Sequence, residues 1–467
     1  MSAIYDLSAV ELALAIREKK VSPVEAVEVA LDRIEAGSAL NAFVTVTGER
    51  ALAEAKIAED MVMSGAELGP LHGVPYSAKD MINTAGVRTT NGSRIFADFV
   101  PKEDAVSIAR AKKAGAILIG KTTTPEFGHK PEATSPVSGR TLHPTHPEVT
   151  PGASSSGAAV AVAARMGPLA LGTDGGGSIR IPAACCGIVG LKATLGTIPH
   201  LQLPDLFGAN SYVGPMARTV GDTALFFEAI AGFDPRDPFG QAIFPPQKTV
   251  RSLKDLKIAW LPTGGARVER EVAQITRAAI EKLASEGATI EEVDIDFKAM
   301  EPAFMTTLRV GLAARVGRHL EKYRDVMDAT LIDRIEQGRA LSAIDVAEAT
   351  YARTAFFQTL QATLSTYDVI ISPVLTAPPL PITVDTHGDI EMDGEMAGTV
   401  RGAWYPFTFP LNLTGHPAIS MPCGMTKSGL PVGLQIMTGW YQEIFLLKVA
   451  ALTEALALSA HRERVAN

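Results

Sequence analysis

The sequence predicts an α/β layer architecture with a largely parallel core sheet. Two observations carry that expectation. Helical patterns and short apolar strand patterns alternate along most of the 467 residues. The composition, 46% hydrophobic and 20% charged, supplies enough apolar sequence for a large core. Length alone would accommodate about three domains. No internal repeat, low-complexity linker or charge run divides the chain, however.

The elements follow in order. Ser8-Ala-Val-Glu11 and Ser22-Pro-Val-Glu25 read as capping boxes, the second with proline at the first helical position. The helices they open carry apolar residues at helical spacing through Ile34. A helix from Asp104 to Ala114 precedes a buried strand at Ala116–Ile119. Ala158–Arg165 reads as a helix of small residues. Ile258–Leu261 and Thr289–Val293 are strands around a helix over 268–286, and a long helix from Ser342 to Leu364 leads into a strand at Asp368–Ser372. Ala418–Met421 and Val432–Met437 look like paired strands, followed by a helix from Gln442 to about Leu458. Thr197–Gly214, Pro373–Pro381 and Asp385–Thr399 read as loops.

The net charge of −8 argues against a general nucleic-acid or membrane-surface binder. Three cysteines, Cys185, Cys186 and Cys423, are too few for a disulfide framework, and the adjacent pair lacks metal-ligand spacing. Met1–Asp6 lacks the basic-then-apolar pattern of a secretory leader, and no run of eighteen apolar residues occurs. The expectation is a cytoplasmic protein.

Three segments carry chemistry. Gly172-Thr-Asp-Gly-Gly-Gly-Ser178-Ile-Arg-Ile-Pro182 places a serine after a glycine triplet. Glycines let the backbone come close to a ligand, so a nucleophilic hydroxyl can sit beside N–H donors for an oxyanion. The plainer reading is a glycine-rich surface loop. Pro151-Gly-Ala-Ser154-Ser155-Ser156-Gly157 is a second small-residue loop rich in hydroxyls. Leu71-His-Gly-Val-Pro-Tyr-Ser-Ala-Lys79-Asp80 is an apolar stretch that would bury Lys79. A lysine can activate a serine only when neutral, and burial favours that form. Asp80 adjoins it, but strand neighbours point to opposite faces. The plainer reading is a lysine that snorkels to water.

Together these segments resemble the amidase signature family, whose members use a Ser–cisSer–Lys triad. Lys79 and Ser154 are 75 residues apart and Ser154 and Ser178 are 24 apart, as in that family. The resemblance continues through Ile181–Lys192, with weaker echoes at Gly120–Phe127, Gly214–Arg218 and Asn412–Ser420. Ala153 and Ser156 stand where glycine is common, and Gly175 where a larger residue is usual.

The resemblance implies a single domain over 1–467, with one large mixed, mostly parallel sheet wrapped by helices. Its catalytic core would span about 71–192, and pocket-forming helices and loops about 300–410. It implies Ser178 as nucleophile, Ser154 as proton relay and Lys79 as base, with the oxyanion held by the N–H groups of Gly175, Gly176, Gly177 and Ser178. Ser155, Thr173, Asp174 and Arg180 would hold the loops. Phe304, Met305, Leu308 and Trp404–Phe409 are candidates for the pocket wall.

The expected activity is hydrolysis of small amides, with aryl amides, carbamates and esters as candidate substrates. No metal or organic cofactor is required, the partner is a small-molecule amide, and a homodimer is left open. One alternative is the amidase subunit of a tRNA-dependent amidotransferase. Ile181, where that subunit usually has a polar residue, and the segment Ala193–Pro199 lean against it. Another is a non-catalytic binding member of the family, against which the intact Lys79, Ser154 and Ser178 argue.

Two patterns are misleading. Gly115–Thr122 matches the P-loop letter for letter, but its middle residues are themselves the strand and Pro125 follows. His143-Pro-Thr-His146 is not a helix face and has no third ligand nearby, so it reads as a solvated loop.

Overall fold

The computed structural model describes residues 3–208, 210–243 and 245–466, with side chains through Leu456. Its strands are β1 (Phe43–Val46), β2 (Pro75–Lys79), β3 (Ile117–Thr122), β4 (Thr134–Ser135), β5 (Gly139–Arg140), β6 (Leu169–Asp174), β7 (Val189–Lys192), β8 (Tyr212–Ala217), β9 (Lys257–Trp260), β10 (Thr289–Glu292), β11 (Val369–Pro373), β12 (Asp389–Met392), β13 (Glu395–Thr399), β14 (Ala418–Met425) and β15 (Pro431–Met437). Eleven of them form one mixed sheet in the order β1-β3-β2-β6-β8-β7-β14-β15-β11-β9-β10.

Parallel pairing occurs in two blocks, β3-β2-β6 and β11-β9-β10. Antiparallel pairs join the blocks through the middle of the sheet. The blocks arise where a helix returns the chain to the same edge, as Val106–Lys113 does between β2 and β3. In the middle a short turn joins β14 to β15, and the other antiparallel pairs bring together strands farther apart along the chain.

The predicted elements fall close to their expected places. Both capping boxes are present, with Ser8 accepting from the Glu11 N–H and the Glu25 carboxylate accepting from the Ser22 N–H. The small-residue helix is Ser156–Ala163, and the long helix is Ala343–Thr366. Two predicted loops are partly ordered. The end of 197–214 enters β8, which pairs on both sides and is buried throughout. Within 385–399, β12 and β13 form a hairpin that buries Ile390 and Met392. Its turn is Asp393-Gly394, both at positive φ, the dipeptide that suits a tight two-residue hairpin.

This topology positions the site. β2 and β6 are parallel neighbours, with Ala78 opposite Leu171, so Lys79 and Asp174 sit at the same C-terminal strand ends of the sheet. Helix Ser156–Ala163 lies against them and is buried through Val162. Its approach needs Gly157, because a Cβ there would come within 2.3 Å of the Ala42 carbonyl and 2.5 Å of the Thr123 nitrogen. Ligands of open α/β sheets commonly bind beyond such strand ends.

Candidate active site

Lys79 is the last residue of β2 and is fully buried. Its Nζ donates to Ser154 Oγ at 2.7 Å and lies 3.4 Å from the Thr173 carbonyl. Burial pulls its pKa down to about 7, against a smaller upward pull from Asp174. Asp80 does not neutralise it. That carboxylate turns away and accepts the Thr90 N–H at 3.0 Å.

Ser154 is 2% exposed, and the Ala153–Ser154 peptide bond is cis. Gly128 comes so close that a Cβ there would lie 2.9 Å from Ser154 Oγ. Ser155 braces the loop through Thr173: its Oγ donates to the Thr173 carbonyl at 3.1 Å and accepts the Thr173 N–H at 3.2 Å. The Ser155 N–H donates to the Ser178 carbonyl at 3.1 Å, tying the two hydroxyl loops together.

The loop after β6 hangs on Asp174. Arg180 donates to both of its carboxylate oxygens at 3.0 Å, and also to Asn412 at 2.7 Å and Gln435 at 2.8 Å. Burial pushes the Asp174 carboxyl up, but Arg180 and the Asn412 amide outweigh it and hold the pKa well below the usual range. Asp174 also accepts the Gly177 N–H at 2.6 Å. This corrects one expectation: the Gly177 N–H is engaged by Asp174 and is not available to an oxyanion. Its φ of +120° aims the peptide back at the carboxylate, and Thr408 fills the space a Cβ would need. The N–H groups of Gly175, Gly176 and Ser178 donate to no acceptor among the described residues.

Ser154, Ser178, Gly175 and Gly176 line one cavity of about 110 Å³. Ser178 is only half-buried, so its hydroxyl is reachable from that cavity. Phe304, Leu308 and Tyr405 form part of the wall, as expected. Met305, Trp404, Phe407 and Phe409 belong instead to the apolar cluster behind it. Phe409 stacks on Phe304 at 5.0 Å, and the Trp404 indole donates to the Ala377 carbonyl at 3.1 Å.

Other lining residues were not anticipated: Met81, Phe127, His129, Arg315 and Arg401. Phe127 ends the segment Gly120–Phe127, which carries part of the family resemblance. Arg315 and Arg401 sit in no local pattern, and only the tertiary fold gathers them. Of the misleading patterns, Lys121 lies in β3, fully buried. Its Nζ is held by the Ile82 carbonyl and by Thr89 Oγ1 at 3.0 Å, with no phosphate loop around it. His143, expected in a solvated loop, is instead buried and bonds the Cys185 carbonyl at 2.9 Å.

A buried lysine with a lowered pKa, bonded to one serine and beside a second serine and N–H groups that meet no acceptor among the described residues, is the layout of an acyl-transfer site. The family model described as Amidase matches residues 25–447, and the chain belongs to that family, the amidase signature enzymes. An acylamidase of Rhodococcus erythropolis is 34% identical over 460 residues, covering 97% of this chain and 96% of the relative. A subunit of the glutamyl-tRNA(Gln) amidotransferase of Moorella thermoacetica is also 34% identical, over 494 residues, covering 99% and 98%. A bacterial aryl acylamidase structure superposes with a TM-score of 0.90 at 28% identity, covering 97% of both chains. A 6-aminohexanoate cyclic dimer hydrolase complexed with substrate gives 0.85 at 26%, covering 98% of both. The chain is an amidase, a hydrolase of C–N bonds.

Proposed function

We propose that this chain is a stand-alone hydrolase of small amides, working in the cytoplasm as a single domain through Lys79, Ser154 and Ser178. The observation that carries the reading is the 2.7 Å contact between a fully buried Lys79 and Ser154, in the cavity that Ser178 also lines. Ser178 Oγ attacks the amide carbonyl. Ser154 takes its proton and passes its own to neutral Lys79. The oxyanion is met by the N–H groups of Gly175, Gly176 and Ser178, and one such donor typically contributes about 2.7–4 kcal/mol. Ser154 then protonates the leaving amine, and water attacks the acyl-enzyme by the reverse route.

Acylamidase and aryl acylamidase relatives support the stand-alone reading, whereas the amidotransferase subunits among the relatives support a partnered one. Ile181, apolar and in the pocket wall, favours the first.

The test is amine release from a simple anilide by the purified chain. Ser178→Ala should lower kcat by about 10³-fold or more while the fold survives. Retention of more than a few per cent of the rate would place the nucleophile elsewhere. Wild type should also be labelled by a serine-reactive phosphonate, and a chain that no such reagent labels would be a binding member of the family.

A further inference from the structure

The cavity against Ser178 holds about 110 Å³, whereas ligand sites usually offer about 300–1,000 Å³. A substrate of ordinary size must therefore reach further. A second cavity of about 590 Å³ adjoins the first, and both are lined by Asn210, Ser211, Leu308 and Arg315. Its wall carries Arg315, Arg318 and Arg353, with Asp205 as the acidic residue among them. Asp205 is spent locally, accepting the N–H groups of Phe207 and Gly208 at 3.0 Å.

Arg315 stands at the junction of the two cavities, on helix Glu301–Val316. Its Nε is buried with no hydrogen-bond partner, and no hydrogen bond or ion pair reaches its guanidinium among the described residues. Burial lowers its pKa, and no carboxylate opposes that shift. Arg401, the other arginine in the nucleophile pocket, instead donates to the His129 carbonyl at 2.9 Å. Arg315 is only half-buried, with its Nε enclosed and unpartnered, and the flat array of donors on its guanidinium matches a carboxylate.

We propose that Arg315 binds a carboxylate of the substrate, which is therefore an amide with an acidic arm reaching past Ser178 into the second cavity. The assignment rests on the amidase reading above.

The experiment compares kcat/KM within two matched pairs by amine release. Glutaryl anilide is set against pentanoyl anilide, and 4-acetamidobenzoate against 4-methylacetanilide. The two pairs place the acid on the acyl and on the amine side. Wild type should favour the acid in one pair by about 10- to 100-fold, the range for a charged hydrogen bond. Arg315→Met should bring that ratio close to one, through KM of the acid more than through kcat, and Arg315→Lys should recover part of it. A merely structural arginine would lower acid and neutral substrate alike and leave the ratio intact. A ratio near one in wild type for both pairs, or a ratio unchanged in Arg315→Met, overturns the proposal. If no anilide is cleaved, the reading as a stand-alone hydrolase of small amides fails by itself, and calorimetry still decides the role of Arg315. Preferential binding of the acid member that Arg315→Met abolishes supports it, and equal binding of acid and neutral ligand overturns it.

Discussion

At the residue scale, Lys79 is where burial becomes chemistry. In the proposed mechanism its neutral form accepts the proton from Ser154, and burial pulls the pKa to about 7, so activity should titrate near neutrality. The sign follows from the role: neutral Lys79 is the active form, so activity is full above the pKa and is lost as pH falls. On the acid limb kcat/KM should drop about tenfold per pH unit. A profile flat from mildly acidic to alkaline pH would remove lysine from the base role. Lys79→Ala should cost an anilide about 10²–10⁴-fold and a nitrophenyl ester of the same acid markedly less. The amine must be protonated as it leaves, while nitrophenolate departs unaided. Equal fractional losses would withdraw the relay role of Ser154. The placement of Lys79 against Ser154, with Ser178 in the same cavity, was legible in the sequence through short-range pattern: a lysine in an apolar stretch, and serines among glycines. The engagement of the Gly177 N–H by Asp174 was not, since it depends on the φ of one residue and on Arg180 orienting the carboxylate.

At the scale of elements, a buried ion pair anchors the loop after β6. Asp174 and Arg180 are both fully buried, and Asn412 and Gln435 complete the hydrogen bonding of the guanidinium. Replacing such a pair by apolar groups can be neutral, but removing one partner strands the other charge. Asp174→Asn should therefore cost about 3–5 kcal/mol of stability, read from the urea midpoint, and lower kcat as the oxyanion loop loosens. A variant with unchanged midpoint and unchanged kcat would show that the loop holds itself. The strands that frame this loop were readable from alternation of helix and apolar run. The hairpin β12–β13 was equally readable in retrospect, since Ile390 and Met392 alternate with charged residues ahead of Asp393-Gly394. Proline-rich and polar surroundings masked that signal. The order of strands in the sheet was not readable, because β7 and β14 pair across more than two hundred residues.

For the whole molecule, relatives of two kinds, an acylamidase and an amidotransferase subunit, match over nearly their full length. Among the described residues no helix is long and apolar enough to cross a membrane, and no group of three or more His, Cys, Asp or Glu is gathered for a metal ion. The nucleophile pocket is walled on one side by Phe304, Leu308 and Ile181, which suits an aryl or alkyl group beside the scissile bond, a contact that glutamine lacks even where its carboxylate would meet Arg315. Apolar burial in such a pocket is worth about 25 cal/mol per Å², so an aromatic ring gains several kcal/mol that a primary carboxamide does not. The purified chain should therefore hydrolyse an anilide with kcat/KM at least about 100-fold above that for glutamine, and should do so without added protein. Activity should survive a chelator, because the lysine supplies the base that a metal-bound hydroxide would otherwise be. Glutamine preferred over the anilide, or turnover that appears only when further subunits are added, would assign the chain to the amidotransferase branch. Loss of activity with a chelator and recovery with one divalent metal would instead remove the Lys79–Ser154–Ser178 relay from the reaction.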